Sequence, residues 1–274
     1  MRLGRGVILL CAAALVGCGV RSTSPAAGTF VPKTRGVLRI VTSDFPSVGF
    51  FEGTVQHPTG GFEYELARAM ADRFGLRSVR IEIKPFAEVV DGKLAGADMA
   101  LDLITPTSER KKHLDFSTPY LMAPPTVLVR RGTRIPELET AQGLRWGVVR
   151  STTFVDTLQK LIDPNTPTQL FGENSAVIAA LERGEIDAAM FDLPLAVVYA
   201  DRSHGAFKAA AQLPAPEDIA AALPKGSGNR EAVDSAIRAF SADGTVHRLL
   251  ERWVGSAVAN SETAIPLLHT TRPR

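Results

Sequence analysis

The spacing of apolar residues along the chain alternates between the period of a strand and that of a helix. Short apolar or β-branched runs bounded by glycine, proline or polar residues are predicted strands, and they lie at 37–41, 79–83, 98–104, 146–149, 169–171 and 187–191. Stretches with apolar residues at helical spacing are predicted helices, and they lie at 62–74, 86–94, 151–162 and 174–183, with a C-terminal stripe interrupted at Gly244. Alternating strands and helices predict an α/β protein with a parallel sheet covered on both faces.

The same strand–helix order occurs in both halves of the chain, which indicates two similar lobes. A short repeated pattern agrees with this interpretation. A predicted helix ends at Gly96 before Asp98 in the first half, and another ends at Gly184 before Asp187 in the second. Two extended runs are predicted to connect the lobes, at 126–129 and 219–223.

The first residues have the order of a secretory signal peptide. Arg2 and Arg5 precede an apolar run at 7–16, which is shorter than the roughly 20 residues needed to span a bilayer. The four residues that end at Cys18, Leu-Val-Gly-Cys, resemble a bacterial lipobox, in which the cysteine is diacylated and becomes the N-terminus. An ordinary signal peptide cleaved nearby is the alternative. The polar stretch 19–33 cannot bury a core and is predicted to be a flexible tether.

Composition and charge exclude several classes of function. The chain has 31 basic and 29 acidic residues, and removal of the leader with Arg2 and Arg5 leaves a balanced body without a nucleic-acid-binding stripe. Both cysteines, Cys11 and Cys18, lie in or next to the leader, so no disulfide framework or thiolate metal cluster is expected. The histidines are scattered without metal-ligand spacing, and neither a metal nor a cofactor is predicted.

Two motifs follow one another within residues 105–120, Thr-Pro-Thr-Ser-Glu-Arg at 105–110 and Asp-Phe-Ser-Thr-Pro-Tyr at 115–120. They closely resemble the signature of the amino-acid-binding proteins of ABC importers, which form family 3 of the bacterial extracellular solute-binding proteins. Other landmarks of that family occur in the same order, at 44–45, 61–67, 243–245 and 252–253. The resemblance extends over roughly residues 36 to 255.

The resemblance implies an α/β, two-lobed, periplasmic-binding-protein-like fold of type II. Each lobe is then a mainly parallel sheet flanked by helices, two hinge strands join the lobes, and the lobes close over a ligand in the cleft between them. The domains expected are a signal peptide at 1–17, a lipidated Cys18 and tether at 18–35, a first lobe at 36–127 plus 217–256, a second lobe at 128–216 and a C-terminal tail at 257–274.

Arg110 is the residue expected to bind a ligand carboxylate, because the guanidinium fork contacts both oxygens. It follows a predicted strand, at the sheet edge where ligands bind in open α/β sheets. The resemblance assigns Thr105 to the same ligand and Asp192 to the ligand ammonium, while Asp187, at the start of its strand, is interpreted as structural. Other arginines that follow the second motif are interpreted as solvated surface charges, namely Arg130, Arg131 and Arg134.

In the second lobe, Ser151, Thr152 and Thr153 open a predicted helix. Its free backbone N–H groups and these hydroxyls are suited to binding an anion. Simple N-capping by Ser151 is the alternative, and the two interpretations are compatible.

Aromatic residues near the first strand and before the 86–94 helix are expected to pack on the ligand side chain. The early Asp44-Phe45 pair is included in the expected site. The other aromatic residues considered are Phe50, Phe51 and Phe86, and each is equally compatible with a place in the core.

One position departs from the family pattern. Where the family has small residues before Thr105, this chain has Asp102 and Leu103. A leucine restricts close approach of the backbone to a ligand, and Asp102 adds a carboxylate that favours a basic or polyamine-like ligand. The alternative for Asp102 is a strand-end cap. Asp102 and Asp192 together carry two negative charges against the single positive charge of Arg110. The excess negative charge, if buried, requires compensation.

The function implied by the resemblance is an extracytoplasmic solute-binding lipoprotein that captures an amino acid or related small charged solute. The expected partners are this small molecule, an ABC importer permease and the cell membrane, to which palmitate-type acyl chains on Cys18 attach a monomeric protein. A sensory or interaction lipoprotein with the same fold is the first alternative. A small-acid lyase or dehydratase is the second, but no Ser/His/Asp or Cys/His arrangement supports catalysis, so no enzyme is predicted.

Overall fold

The computed structural model describes residues 28–94, 96–260 and 263–270. The predicted signal peptide at 1–17 and the predicted lipidation site, Cys18, lie outside these ranges. Within the described ranges, every helix is too short or too polar to cross a bilayer.

Strands and helices alternate along the described chain. In chain order the strands are β1 (Val37–Thr42), β2 (Glu52–Gly53), β3 (Pro58–Gly60), β4 (Ser78–Ile83), β5 (Met99–Ala100), β6 (Leu114–Ala123), β7 (Pro125–Arg130), β8 (Trp146–Val149), β9 (Gln169–Phe171), β10 (Ala188–Asp192), β11 (Phe207–Gln212) and β12 (Glu217–Pro224). The α-helices are α1 (Phe62–Arg73), α2 (Phe86–Val90), α3 (Leu138–Gln142), α4 (Phe154–Thr157), α5 (Asn174–Glu182), α6 (Leu193–Arg202), α7 (Arg230–Ala242), α8 (Thr245–Trp253) and α9 (Ser256–Ala259). A 3₁₀ turn spans Arg110–Lys112, and a π-helical turn, Leu158–Ile162, continues α4.

The strands form two five-stranded sheets, one in each lobe. The first sheet has the order β4-β1-β5-β12-β6 and the second has the order β11-β7-β10-β8-β9. The predicted two-lobed α/β fold is confirmed. The expectation that each sheet is mainly parallel is wrong, because both sheets are mixed, with two parallel and two antiparallel pairings each. The antiparallel pairings involve β12 and β7, because each enters its sheet from the other lobe.

The chain passes from the first sheet to the second between β6 and β7, and returns between β11 and β12. The first passage is at Pro124, so residues 125–127, expected in the first lobe, belong to a strand of the second sheet. The second passage is the segment 213–216, and Glu217 begins the strand that follows it. The extended runs expected to connect the lobes therefore lie inside β7 and β12, next to the passages.

The predicted buried strand at 98–104 is much shorter in the structure. Only Met99 and Ala100 pair with β1, opposite Ile40 and Val41. The chain then leaves the sheet, and Leu103 adopts a positive φ of 47°. Periodicity alone missed this turn because apolar residues continue through it. Its consequence is that the side chain of Asp102 faces the space between the lobes instead of extending the sheet.

The N-terminal end of the described chain packs on the first lobe. Phe30 stacks on Phe74 with ring centroids 4.2 Å apart, and Asn229 exchanges hydrogen bonds of 2.8 and 2.9 Å with the backbone of Val31. The backbone N–H of Lys33 donates to Asp98 at 2.6 Å. The expectation of a flexible tether is therefore wrong for residues 30–33, which a buried aromatic ring holds in place.

The predicted C-terminal tail also packs on the protein. After α8 and α9, the chain returns to the edge of the second sheet, where Gln212 and Leu268 form a backbone hydrogen bond of 2.8 Å. The Leu268 side chain is 3% exposed and joins the core of the second lobe beside Leu213 and Trp146. The segment around Leu268 is therefore part of the second lobe rather than a free tail.

We expect Leu268→Ala to lower the free energy of unfolding by about 2–4 kcal/mol, because it removes a buried side chain and leaves a cavity. The neighbouring Leu267 is 51% exposed, so Leu267→Ala should change stability by less than about 0.5 kcal/mol. Equilibrium chemical denaturation of the two variants measures the difference. Equal, small effects would show that the segment does not pack on the second lobe in solution.

Candidate ligand-binding cleft

A cavity of about 60 Å³ lies between the two lobes. Roughly 10–15 Å³ holds one water molecule on this measure, so a small organic molecule fits in the cavity. The first lobe contributes Thr42, Ser43, Ser47, Phe50, Phe51, Glu63, Phe86, Asp102, Leu103, Thr105 and Arg110 to its walls. The second lobe contributes Val149, Thr152, Thr153, Phe154, Glu173, Asn174, Phe191, Asp192 and Leu195.

Most of the residues expected to bind ligand line this cavity. They are Phe50, Phe86, Asp102, Thr105, Arg110, Thr152, Thr153 and Asp192. Three expected residues, Asp44, Phe45 and Ser151, are not part of its walls.

Arg110 is held between the lobes at the first position of the 3₁₀ turn, with 7% of its surface exposed. One guanidinium nitrogen, Nη1, donates to the carbonyl of Thr105 at 2.8 Å, and Nη2 donates to the carbonyl of Ser151 in the second lobe at 2.9 Å. The guanidinium carbon lies 5.3 Å from the centre of the Phe86 ring, within the range of a cation–π interaction. These contacts fix the position of the charge in the cleft.

The guanidinium of Arg110 retains capacity for a ligand. Of its five N–H donors, two are used in the hydrogen bonds to the backbone, and no acceptor among the described residues takes the other three. Burial lowers the pKa of Arg110, while the carboxyl groups of Glu217, Asp192 and Asp102 oppose this effect. Arginine keeps its charge in such surroundings, so the site offers a permanent cation.

Glu217, at the start of β12, is a site residue that the sequence analysis missed. Its Oε2 accepts hydrogen bonds from the Thr105 hydroxyl in the first lobe and from the Thr153 hydroxyl in the second, the latter at 2.8 Å. Both hydroxyls were expected to face a ligand, but in this structure they donate to a protein carboxylate. The signal for Glu217 is not local, because it depends on where the chain crosses between the lobes.

Asp192 ends β10 and is 7% exposed. Burial raises its pKa well above the ordinary value, and the nearby carboxyl groups of Glu217 and Glu63 add to the rise, while Arg110 opposes it. A ligand ammonium beside Asp192 would stabilise the ionised carboxylate, because an opposite charge favours the charged form.

Asp102 contributes a second carboxyl group to the cavity. Its Oδ1 accepts a hydrogen bond of 3.0 Å from the Thr42 hydroxyl, whereas its Oδ2 is buried without a hydrogen-bond partner among the described residues. Burial raises the pKa of Asp102 to about 8, and the neighbouring Glu63 adds to the rise. Protons bound to the carboxyl groups with raised pKa values thus compensate their excess over Arg110.

Glu63, in the first turn of α1, is the other acidic residue that the sequence analysis missed. It is 1% exposed, and its Oε1 accepts hydrogen bonds from the Tyr120 hydroxyl and, at 2.9 Å, from the backbone N–H of Leu103. Burial raises the pKa of Glu63 to about 7, and these two hydrogen bonds oppose the rise. A sequence signal did exist, since Glu63 precedes the buried residues Leu66 and Met70 by three and seven positions, on the apolar face of the helix.

The predicted helix at 151–162 begins three residues later than expected. Ser151 is exposed and adopts a positive φ of 66°, so it does not cap the helix, and Thr153 at the N-cap position makes no side-chain cap hydrogen bond. The hydroxyl of Thr152 donates to the carbonyl of Val149 at 2.7 Å. Ser151 instead contributes its backbone carbonyl, which accepts the hydrogen bond from Arg110.

Aromatic rings from both lobes surround the cavity. Phe50 packs edge-on against Phe62, with centroids 5.9 Å apart, so it belongs both to the core and to the cavity wall. Phe45 packs against Phe51, with ring centroids also 5.9 Å apart, and does not line the cavity. The second lobe adds two rings that were not predicted, Phe154 and Phe191.

Asp44 links the lobes beside the cavity. It forms a side-chain hydrogen bond with Asn174, which opens α5 in the second lobe and lines the cavity. Burial raises the pKa of Asp44 to about 6, the bond to Asn174 opposes the rise, and the nearby Glu173 adds to it.

Two charged residues of the second lobe are structural. Asp187 pairs with Arg130 and Arg145 at 3.0 and 2.7 Å, and the hydrogen bond from Arg145 holds its pKa at about 2. Arg130 also donates to the carbonyls of Leu181 and Ile186. The interpretation of Arg130 as a solvated surface charge is therefore wrong, since Arg130 fixes the turn between α5 and β10.

Among the described residues, no group of histidine, cysteine, aspartate and glutamate side chains is arranged to hold a metal ion.

Comparison with known proteins assigns the family. Residues 38–256 match bacterial extracellular solute-binding proteins, family 3. The chain belongs to this family. The resemblance found in the motifs at 105–110 and 115–120 is thereby confirmed, and this family 3 protein is related to the amino-acid-binding proteins of ABC transporters.

The family 3 protein has similar relatives among binding proteins. It is 27% identical over 267 residues to the L-cystine-binding protein TcyJ of Escherichia coli (strain K12), covering 93% of this chain and 97% of that protein. An ancestral arginine-binding protein bound to glutamine is similar in structure, with a TM-score of 0.70, 27% identity and coverage of 81% of this chain and 99% of that one. The arginine-, lysine-, histidine-binding protein ArtJ from Geobacillus stearothermophilus has a TM-score of 0.68, 25% identity and coverage of 80% and 95%.

We expect Asp102→Asn to flatten the pH dependence of stability between about pH 6 and 8. In the ligand-free protein the Asp102 pKa is raised from 3.8 to about 8, so the folded state holds a proton that the unfolded chain has released in this range. The free energy of unfolding therefore falls as pH rises towards the folded pKa, by up to about 1.4 kcal/mol per pH unit for one proton. Asp102→Asn removes this contribution.

Chemical denaturation at several pH values measures the slope for both proteins. Glu65→Gln is the control, because Glu65 lies on the same lobe, forms an ion pair with Arg252 and does not line the cavity. A slope equal in wild type and Asp102→Asn would show that this carboxyl does not hold the proton.

Proposed function

We propose that this protein is an extracytoplasmic solute-binding lipoprotein that captures an amino acid and delivers it to an ABC importer. The observation that carries the proposal is the buried Arg110, which keeps three N–H donors directed to no described protein acceptor, in a cavity that also contains Asp192. An α-amino acid has one carboxylate and one ammonium, and this pair of side chains complements both.

The carboxylate of the ligand is assigned to Arg110. A planar guanidinium binds two carboxylate oxygens at once, and the hydrogen bond of Arg110 to Thr105 in its own lobe restrains it before ligand arrives. Less conformational freedom is then lost on binding, which favours affinity.

The ammonium of the ligand is assigned to Asp192. This carboxyl is buried, has its pKa raised in the empty cleft and gains a compensating charge when an ammonium approaches. The apolar rings of Phe50, Phe86 and Phe191 supply walls for the ligand side chain. The relatives bind L-cystine, or arginine and other amino acids, as their names state, which supports an amino acid here.

Attachment to the membrane through Cys18 completes the proposal. Among the described residues, the first that pack on the first lobe are 30–33, and eleven residues, 19–29, lie between them and Cys18 in the sequence. These eleven residues reach at most roughly 36 Å when extended. The lobes would thus stay close to the membrane that holds the importer.

A screen of purified protein against amino acids, polyamines and organic acids by thermal shift, followed by calorimetry of the hits, tests the ligand class. Stabilisation by at least one amino acid is expected, because a ligand that binds only the folded state raises the unfolding temperature. Stabilisation by organic acids without an ammonium group, and by no amino acid, would contradict the proposal.

We expect Arg110→Ala and Arg110→Lys each to weaken binding of that amino acid by about 2–5 kcal/mol, because a charge-assisted contact in the closed cleft is lost. Lysine retains the charge but not the fork, so it does not restore the contact. Calorimetry measures both variants. Arg134→Ala is the control, since Arg134 is exposed and remote from the cavity walls. Near wild-type affinity in both Arg110 variants would refute the assignment.

We expect Cys18→Ser to move the protein from the membrane fraction to the soluble fraction of cells that export it. Two acyl chains attach a protein stably to a bilayer, whereas a serine accepts neither in this pathway. Fractionation with immunoblotting compares the variant with wild type. A variant that stays in the membrane fraction to the same extent would exclude lipidation at Cys18 as the anchor.

A further inference from the structure

Two buried carboxyl groups lie in the cleft apart from the assignments made to Arg110 and Asp192. Asp102 follows β5 and Glu63 lies in the first turn of α1, and both line the cavity from the first lobe. The two groups are close enough for Glu63 to disfavour ionisation of Asp102. Neither forms an ion pair with a cationic side chain among the described residues, whereas Arg110 is hydrogen-bonded elsewhere.

The hydrogen bonds at this pair leave one atom without a donor. Glu63 accepts from Tyr120 and from the backbone of Leu103. Asp102 accepts from Thr42 through Oδ1, and the hydroxyl and backbone N–H of Ser43 lie close enough to its carboxyl to oppose the rise of its pKa. The other oxygen of Asp102, Oδ2, is buried without a partner among the described residues. A buried acceptor without a donor costs free energy, so its persistence indicates that a donor arrives from outside the protein.

The interpretation of Asp102 as a strand-end cap does not account for these contacts. A cap would accept hydrogen bonds from the backbone of the turn that follows β5. In the structure, the first N–H of that turn, at Leu103, donates to Glu63 instead. The Asp102 carboxyl turns towards β1 and the cavity, which leaves it available to a ligand.

We propose that Asp102 and Glu63 form a second subsite, which binds an ammonium or guanidinium group at the far end of an amino-acid ligand. This proposal rests on the proposed function, which supplies the anchor for the α-carboxylate and α-ammonium. It names the ligand class as amino acids with a cationic side chain. The cationic group would donate to Oδ2 of Asp102 and compensate the charge of the pair.

A cation is favoured over a neutral donor by the charge of the cleft. A side-chain amide also donates a hydrogen bond, but it leaves two adjacent carboxyl groups without a compensating charge in a buried place. The rings of Phe50, Phe51 and Phe86 line the same cavity and are suited to the aliphatic stem and to the face of a cation.

The test compares matched ligands by calorimetry, using L-arginine with L-citrulline and L-lysine with L-norleucine. In each pair the second ligand lacks the positive charge of the first and has similar length. Wild type is expected to bind at least one cationic ligand roughly 10- to 100-fold more tightly than its neutral partner. Asp102→Asn and Glu63→Gln should each reduce this ratio by about 10-fold or more.

Glu65→Gln provides the matched control, because it removes the same charge from α1 outside the cavity and should leave the ratio unchanged. A wild type that binds neutral partners as tightly as both cationic ligands, or a ratio unaltered in both cavity variants, would overturn the second subsite and leave the proposed function standing. If Asp102→Asn does not fold, Glu63→Gln and the wild-type ratios decide.

Agmatine separates failure of this inference from failure of the proposed function, because it keeps the guanidinium of arginine but lacks the carboxylate. Agmatine should bind at least 10-fold more weakly than arginine if Arg110 anchors the α-carboxylate. Equal affinity for agmatine and arginine would refute that anchor and support the second subsite. A protein that binds none of the five ligands would overturn the second subsite, while the proposed function would still be decided by the screen against the other amino acids.

Discussion

The rest of the cleft is organised around the burial of one guanidinium group between two lobes. Arg110 is desolvated, and the fold keeps it charged by placing it near several carboxyl groups and over the ring of Phe86. These carboxyl groups outnumber the single buried cation of the described cleft, so they retain protons in the absence of ligand, as the raised pKa values of Asp102 and Glu63 show. The cleft therefore contains more acidic groups than cationic ones among its described residues.

The same interactions join the lobes. Arg110 donates to the second lobe at Ser151, Glu217 accepts from a threonine of each lobe, and Asp44 bonds to Asn174 across the cleft. Any opening of the lobes separates these partners, and water must then solvate them. The return of the chain to Gln212 beyond α9 adds a further link beside the second passage, so the lobes are coupled by more than the two expected strands. The side chains that line the cavity thus also join the two lobes.

The features of the fold and cleft that depend on contacts between nearby residues could be predicted from the sequence, and those that depend on distant residues could not. The strand–helix alternation and the place of Arg110 were predictable because periodicity and a compact motif lie within short stretches of sequence. The early end of β5 and the positive φ of Ser151 were not, since apolar runs report a period but not where pairing stops. Glu217 was missed because its partners are more than sixty residues away in the chain. Glu63 was accessible in principle, as an acid on an apolar helix face.

The negative charge of Asp102 and Glu63 can be compensated either by bound protons or by a cationic ligand. In the empty cleft a proton on Asp102 or Glu63 limits the excess negative charge, and a cationic group at the same place would serve the same purpose. Both cannot do so at once, because the donor to Oδ2 of Asp102 is either a proton on that carboxyl or the ligand. A cationic ligand would therefore displace protons as it enters, and its affinity would increase as pH rises from about 6 towards 8, where fewer protons need to be displaced. A ligand without a cationic side chain displaces none from Asp102 and Glu63, so its affinity lacks this part of the pH dependence. On the second-subsite proposal, ligand charge and pH act on the same two carboxyl groups, which the fold holds next to each other by a helix terminus and a strand end.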